Sequence, residues 1–146
     1  MNDLIVEKNN HIATLIFDRP KARNALSTDM RNNLRDTLAE LEHDKDIRCL
    51  VLKGSGEHFM AGGDVKRMLE YVDETPERIR ADFTQRIHDL HPIMFSMRRM
   101  SKPIIASVEG AAAGAGVSMA LACDLVIAAD SAFFTLAYVH IGTSPD

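Results

Sequence analysis

Apolar positions along the chain follow two rhythms, and the changes between them mark out its elements. LIVEK at 4–8 and HIATLIFD at 11–18 alternate or run apolar around Asn9-Asn10, which predicts an N-terminal hairpin. After Asp18-Arg19-Pro20, STDMRNNLRDTLAELEHD at 27–44 places Met30, Leu34, Leu38 and Leu41 along one helical face, with Ser27 or Thr28 as N-cap. IRCLVLKG at 47–54 reads as a buried strand. GSGEHFMAGGD then forms a loop that ends where Asp64 can cap a helix over VKRMLEYV. Thr75-Pro76 has the form of a cap followed by proline in the first turn, opening a long helix through Ile79, Phe83, Ile87, Leu90 and Met94 that Ser101-Lys102-Pro103 ends.

The stretch SVEGAAAGAGVSMALACD at 107–124 organises the rest. PIIASV before it reads as a buried strand, GAAAGAG as a loop with almost no side chains, and VSMALAC as a tightly packed helix. A strand feeding a glycine-rich turn and a helix start leaves N–H groups unpaired, with the positive end of the helix dipole behind them. Such a corner binds a negative oxygen, either a phosphate or an oxyanion that forms during a reaction. LVIAAD and AFFTL follow as short strands, and VHIGTSPD as a loop.

FMAGGD at 59–64 and GAAAGAGVS at 110–118 are both small-residue loops entering helices. If adjacent strands bring them together, the N–H groups of Gly63 and Ala115 can donate to one oxygen. Taken singly, each loop reads first as a tight turn.

Composition narrows the class. The chain has 146 residues, 46% of them hydrophobic and 26% charged, which suits one α/β domain over 1–146. Seventeen basic and 21 acidic residues give a net charge of −4, so nothing overall favours a nucleic-acid backbone or an anionic membrane. No apolar run approaches the roughly 20 residues that span a bilayer, and MNDLIVEKNN lacks a signal peptide's segments, so the expected compartment is the cytoplasm. Cys49 and Cys123 are expected to be small buried residues rather than a disulfide or metal pair. His58, His88, His91 and His140 lack metal-site spacing.

Four segments together resemble the crotonase, or enoyl-CoA hydratase/isomerase, superfamily. They are RPKARNAL at 19–26, HFMAGGDVKRM at 58–68, KPIIASVEGAAAGAGVSMALACDLVIAAD at 102–130 and IGTSPD at 141–146, in the family's order and spacing. The resemblance covers essentially the whole chain and corresponds to the family's N-terminal portion. It implies an α/β spiral of β-β-α units lacking the C-terminal helical part, with apolar surface left open where further chain would pack. It also implies an acyl-CoA substrate, no separate cofactor because coenzyme A is part of the substrate, and a homotrimer or dimer of trimers.

By the same resemblance the thioester oxygen is held by backbone N–H groups at Gly63 and Ala115. Lys21, Ala22 and Arg23 cradle the CoA end, and Ala61, Gly62, Asp64, Val65, Lys66, Gly114, Ser118 and Tyr138 line the substrate. Proton abstraction beside a thioester, or addition of water to an enoyl bond, puts charge on that carbonyl oxygen. The family's hydratases use two glutamates, and the matching positions here hold Ser118 and Tyr138. Neither is a base at neutral pH. Asp146 is the substitute, because some isomerases of the family place an acid around that position, and one carboxylate suffices to isomerise a double bond.

The alternatives are a hydratase with an altered active site, a non-catalytic acyl-CoA-binding relative, and a dinucleotide-binding protein. The last rests on Gly110, Gly114 and Gly116, but Asp130 comes too early after them for the ribose contact.

Overall fold

The computed structural model of the protein describes residues 3–66, 71 and 73–142. Strands β1 (Leu4–Asn9) and β2 (Ile12–Phe17) pair antiparallel, with Asn9 opposite Ile12. The turn between them is therefore Asn10-His11, one residue later than the asparagine pair suggested. Both residues have positive φ, 49° and 65°, the two-residue geometry that matches strand twist.

Beyond the hairpin the chain winds in a repeating unit. Helix α1 (Thr28–His43) follows β2, capped by Ser27, whose hydroxyl accepts the Met30 N–H at 3.0 Å. Its buried face is Met30, Leu34, Leu38 and Leu41. Strand β3 (Cys49–Gly54) then lies parallel to β2. Helix α2 (Pro76–Arg99) starts at Thr75, which accepts the Arg78 N–H, and leads to β4 (Ile104–Val108), parallel to β3. Strand β5 (Ala111–Ala113), helix α3 (Ala115–Ala122), β6 (Leu125–Ala128) and β7 (Phe133–Thr135) complete the described elements.

The main sheet has the order β1-β2-β3-β4-β6. A second, inner layer runs alongside it. Leu26 bridges Gly63, Met60 bridges Ala112, and Ala112 pairs with Phe134 as β5 meets β7 in parallel. Each turn of the spiral thus gives one strand to the main sheet and one short extended segment to the inner layer. A helix follows in three of them, and a 3₁₀ turn at Tyr138–Ile141 in the fourth. This is the expected α/β spiral.

One expectation needs correction: the Ala111–Ala113 segment is a strand rather than loop. Helix α2 runs through the expected apolar stripe but meets the core mainly at its C-terminal end. Its buried residues are Ile93 and Met97, with Leu90 and Met94 against the core and Ile79, Phe83 and Ile87 half-covered. The helix expected over 65–72 falls largely outside the described residues.

The core runs between the sheet and α1, with Phe17 edge-on to Phe59 at 5.5 Å. At the far edge the picture inverts. Leu121, Leu125, Ile127, Phe133, Leu136 and Val139 are all exposed. Among the described residues no helix is long and apolar enough to cross a membrane.

The loop after β2 is pinned by Asn24, which is fully buried with φ 57°. Its side-chain oxygen accepts the Arg19 N–H at 2.9 Å, and its amide donates to the carbonyls of Ser55 at 2.9 Å and His58 at 2.7 Å. Asparagine tolerates the left-handed region better than most residues. Replacing Asn24 with Ala strands buried partners and is expected to cost about 3 kcal/mol in urea unfolding; a cost under about 1 kcal/mol would overturn this account of the loop.

Cys123 is buried, its thiol pKa pushed up to about 12 by desolvation and then by the charge of Asp124. It should resist a disulfide reagent at pH 8 until the protein unfolds. Because only the unfolded thiol ionises between its ordinary value of 9.0 and about 12, stability should fall across that window by about 1.4 kcal/mol per pH unit. Rapid labelling of the native protein would contradict this placement.

Candidate functional site

The two small-residue corners meet. Gly62, at φ 88°, packs so closely on the second corner that a Cβ there would fall 2.7 Å from the Ala113 carbonyl oxygen and 3.4 Å from the Ala115 nitrogen. Only glycine combines this conformation with this clearance. Across the contact, Gly114 at φ 50° ends β5 and serves as N-cap of α3 without a side-chain hydrogen bond. Its own N–H is spent on the Thr135 carbonyl, and its carbonyl accepts Val117 N–H at 2.9 Å.

Ala115 is the first residue of α3. Among the described residues neither its N–H nor that of Gly63 donates to a backbone or side-chain acceptor. The reason differs at each place. Ala115 lies in the first turn, where intrahelical acceptors do not exist. At Gly63 the parallel bridge to Leu26 is made through the neighbouring carbonyl of Gly62, which accepts Leu26 N–H at 2.7 Å. Two free main-chain donors thus lie on adjoining corners, one backed by the positive end of a helix. Among the described residues, a Cβ on Gly63 would come within 4 Å of the Arg86 guanidinium alone, at 3.8 Å.

The loop expected to cradle the CoA end adjoins the first corner. Pro20–Ala22 is a 3₁₀ turn, Lys21 and Arg23 are exposed, and Ala22 is half-covered. The Arg23 carbonyl accepts the N–H of Ala61 at 2.9 Å, which fixes this loop to the AGGD segment. Asp64 is buried and its carboxylate pairs with Arg19 at 3.0 Å, while Val65 and Lys66 are exposed. Arg19 also reaches Asp3 at 3.3 Å and the Ala25 carbonyl at 2.7 Å. Asp64 therefore ties one loop to the other, and the helix it was expected to cap lies largely outside the described residues.

At the second corner the Tyr138 ring comes to 4.0 Å from where a Cβ on Gly114 would stand. Ser118 is half-buried one turn into α3. The structure thus gathers Ala61, Gly62, Gly63, Gly114, Ala115 and Tyr138 in one place, with the 19–24 loop beside them. Asp146 lies outside the described residues.

His58, weighed only as a weak metal ligand, has a structural position instead. Its Nδ1 accepts the Ala111 N–H at 3.2 Å, which leaves the proton of the neutral ring on Nε2. Among the described residues no cluster of three or more His, Cys, Asp or Glu side chains is placed to hold a metal ion. Sequence reasoning missed Arg19 and Asn24, which build the loop, and Arg86, which stands before Gly63. Asn24 could have been suspected from its place beside Arg23 in a tight turn. Arg86 sits on an ordinary polar helix face and carries no such signal.

With this geometry in view, similarity to known proteins has a physical meaning. A family model described as enoyl-CoA hydratase/isomerase matches residues 7–146. The 1,2-epoxyphenylacetyl-CoA isomerase of Escherichia coli (strain K12) is 37% identical over 136 residues, covering 92% of this chain and 50% of that protein. The hydroxycinnamoyl-CoA hydratase-lyase of Pseudomonas fluorescens is 39% identical over 144 residues, covering 96% and 50%. Among solved structures, an enoyl-CoA hydratase from Polaromonas sp. JS666 superposes with a TM-score of 0.89 at 39% identity, over 98% of this chain and 54% of that one. The chain spans about half the length of the curated relatives it matches. By sequence and by fold, this chain belongs to the enoyl-CoA hydratase/isomerase family.

Proposed function

We propose that the protein acts on an acyl-CoA thioester and moves a carbon–carbon double bond within its acyl group. In this reading the N–H groups of Gly63 and Ala115 hold the thioester oxygen, and Asp146 takes a proton from one carbon and returns it to another. The observation that carries the reading is the pair of unspent main-chain donors on two corners packed together through Gly62.

Removing the proton sends charge onto the thioester oxygen, making an enolate. Donors already fixed in place stabilise that charge without reorganising, and each is worth roughly 3 kcal/mol of barrier. A single carboxylate then suffices, because the same group that accepts the proton can deliver it elsewhere on the delocalised anion. In this reading Lys21 and Arg23, exposed on the adjoining loop, meet the phosphates of coenzyme A. The isomerase and the hydratase-lyase among the relatives both carry CoA in their names, which supports the thioester more strongly than any one reaction. Ser118 and Tyr138, where hydratases of the family use glutamates, favour isomerisation over hydration. They also support a second reading, acyl-CoA binding without turnover.

Two substitutions in the full-length protein test the proposal. Ala115→Pro removes one donor at a position where proline suits the first helical turn. It should lower kcat for 3-enoyl-CoA isomerisation by about 10²–10³, whereas unchanged turnover removes Ala115 from the mechanism. Asp146→Ala should abolish isomerisation while leaving thioester binding measurable by calorimetry. Full activity in that variant rules out Asp146 as the base, and wild-type binding with no turnover of any enoyl-CoA establishes the second reading.

A further inference from the structure

A cleft of about 220 Å³ opens between the first turn of α1 and the second and third turns of α2, lined by Thr28, Arg31, Tyr71, Asp82, Gln85 and Arg86. Arg86 joins it to the corner already described, because the same guanidinium lies 3.8 Å from the Cβ position of Gly63. The cleft is smaller than the usual range for a whole small-molecule ligand but has room for the end of one.

Its lining is unusual for a hydrocarbon. Acyl pockets are expected to be mostly apolar with a few placed polar groups, yet every wall residue among the described ones carries a polar atom. Two of them have hydrogen-bonding capacity to spare. Arg31 is largely buried and one of its terminal nitrogens pairs with Asp89 at 2.9 Å, but its Nε is buried without a partner among the described residues. Arg86 lies over the Phe83 ring at 5.6 Å, and among the described residues no carboxylate pairs with it. A guanidinium carries five N–H donors, so an oxygen entering this cleft would meet donors on Arg86 that no described carboxylate engages.

The charges bear on which oxygen. Asp89 is occupied by Arg31 and by the Gln85 amide at 2.8 Å. Asp82 lines the cleft one turn before Arg86. Among the described residues the two guanidiniums are thus matched by two carboxylates, and the feature in surplus is hydrogen-bond donors, not net charge.

We propose that this cleft receives the acyl end of the substrate and that this end carries a hydrogen-bond-accepting oxygen, met by Arg31 and Arg86. The inference rests on the acyl-CoA reading and narrows it from enoyl-CoA thioesters in general to those bearing an oxygen beyond the thioester. A carboxylate and a hydroxyl share the required chemistry.

The test compares three enoyl-CoA thioesters of equal chain length, ending in a carboxylate, a hydroxyl or a methyl group. Dissociation constants by calorimetry and kcat/KM are measured on the full-length protein. At least one oxygenated compound should be favoured over the methyl compound by tenfold or more, and the better of the two identifies the oxygen. Arg86→Met, at a half-covered position, should reduce that ratio at least fivefold, and Arg31→Met should do the same where it folds. Equal affinity for all three compounds, preference for the methyl compound, or a ratio indifferent to Arg86→Met overturns the inference while leaving the acyl-CoA reading intact. Failure to bind any of the three thioesters defeats both.

Discussion

The site depends on two stretches of main chain approaching more closely than any side chain would permit. Gly62 lies against Ala113 and Ala115 with no room for a Cβ, and Gly116 similarly packs against the Met60 carbonyl, where a Cβ would come to 2.3 Å. The same contact makes the inner layer possible, because Met60 can bridge Ala112 only when the segments around them are this thin. Interiors tolerate overpacking poorly. A methyl group at Gly62 or Gly116 would therefore separate the two corners as well as strain them.

Around this contact the protein spends its buried polar groups on holding loops. Arg19 joins Asp3, Asp64 and the Ala25 carbonyl, while Asn24 joins the 19–24 loop to the β3 exit. These side chains face inward and are satisfied. The N–H groups of Gly63 and Ala115 are not satisfied by backbone or side chain among the described residues. The division suits a function in which charge appears on a bound atom only transiently, since fixed donors that need not reorganise are the ones that favour it.

The far edge has a different character. Strand β6 ends the main sheet with Leu125, Val126 and Ile127 exposed, and Phe133, Leu136 and Val139 continue the same apolar surface. Exposed apolar residues gathered in this way mark a contact surface. Between Leu136 and Val139, the Tyr138 ring lies beside Gly114 at the second corner.

Much of this was legible in the order of residues. The hairpin, the Ser27 cap with its buried stripe, the Thr75-Pro76 start and the paired glycine corners are all local signals, and each is written within a few neighbouring positions. What was not legible depended on partners distant in the chain. Three consecutive alanines carry no strand signal; Ala111–Ala113 is extended because Met60 and Phe134 lie on either side of Ala112. The stripe on α2 from Ile79 to Ile87 is only half-covered because the helix meets the core chiefly at Ile93 and Met97, and periodicity cannot say where along its length a helix touches its neighbours. Arg86 is an unremarkable charged residue until the tertiary fold sets it before Gly63. The sequence by itself determined which segments could come close, by placing glycine and alanine in them; only the three-dimensional packing decided which donors were left unspent and what stood opposite them, because hydrogen-bond satisfaction is settled between segments and not within one.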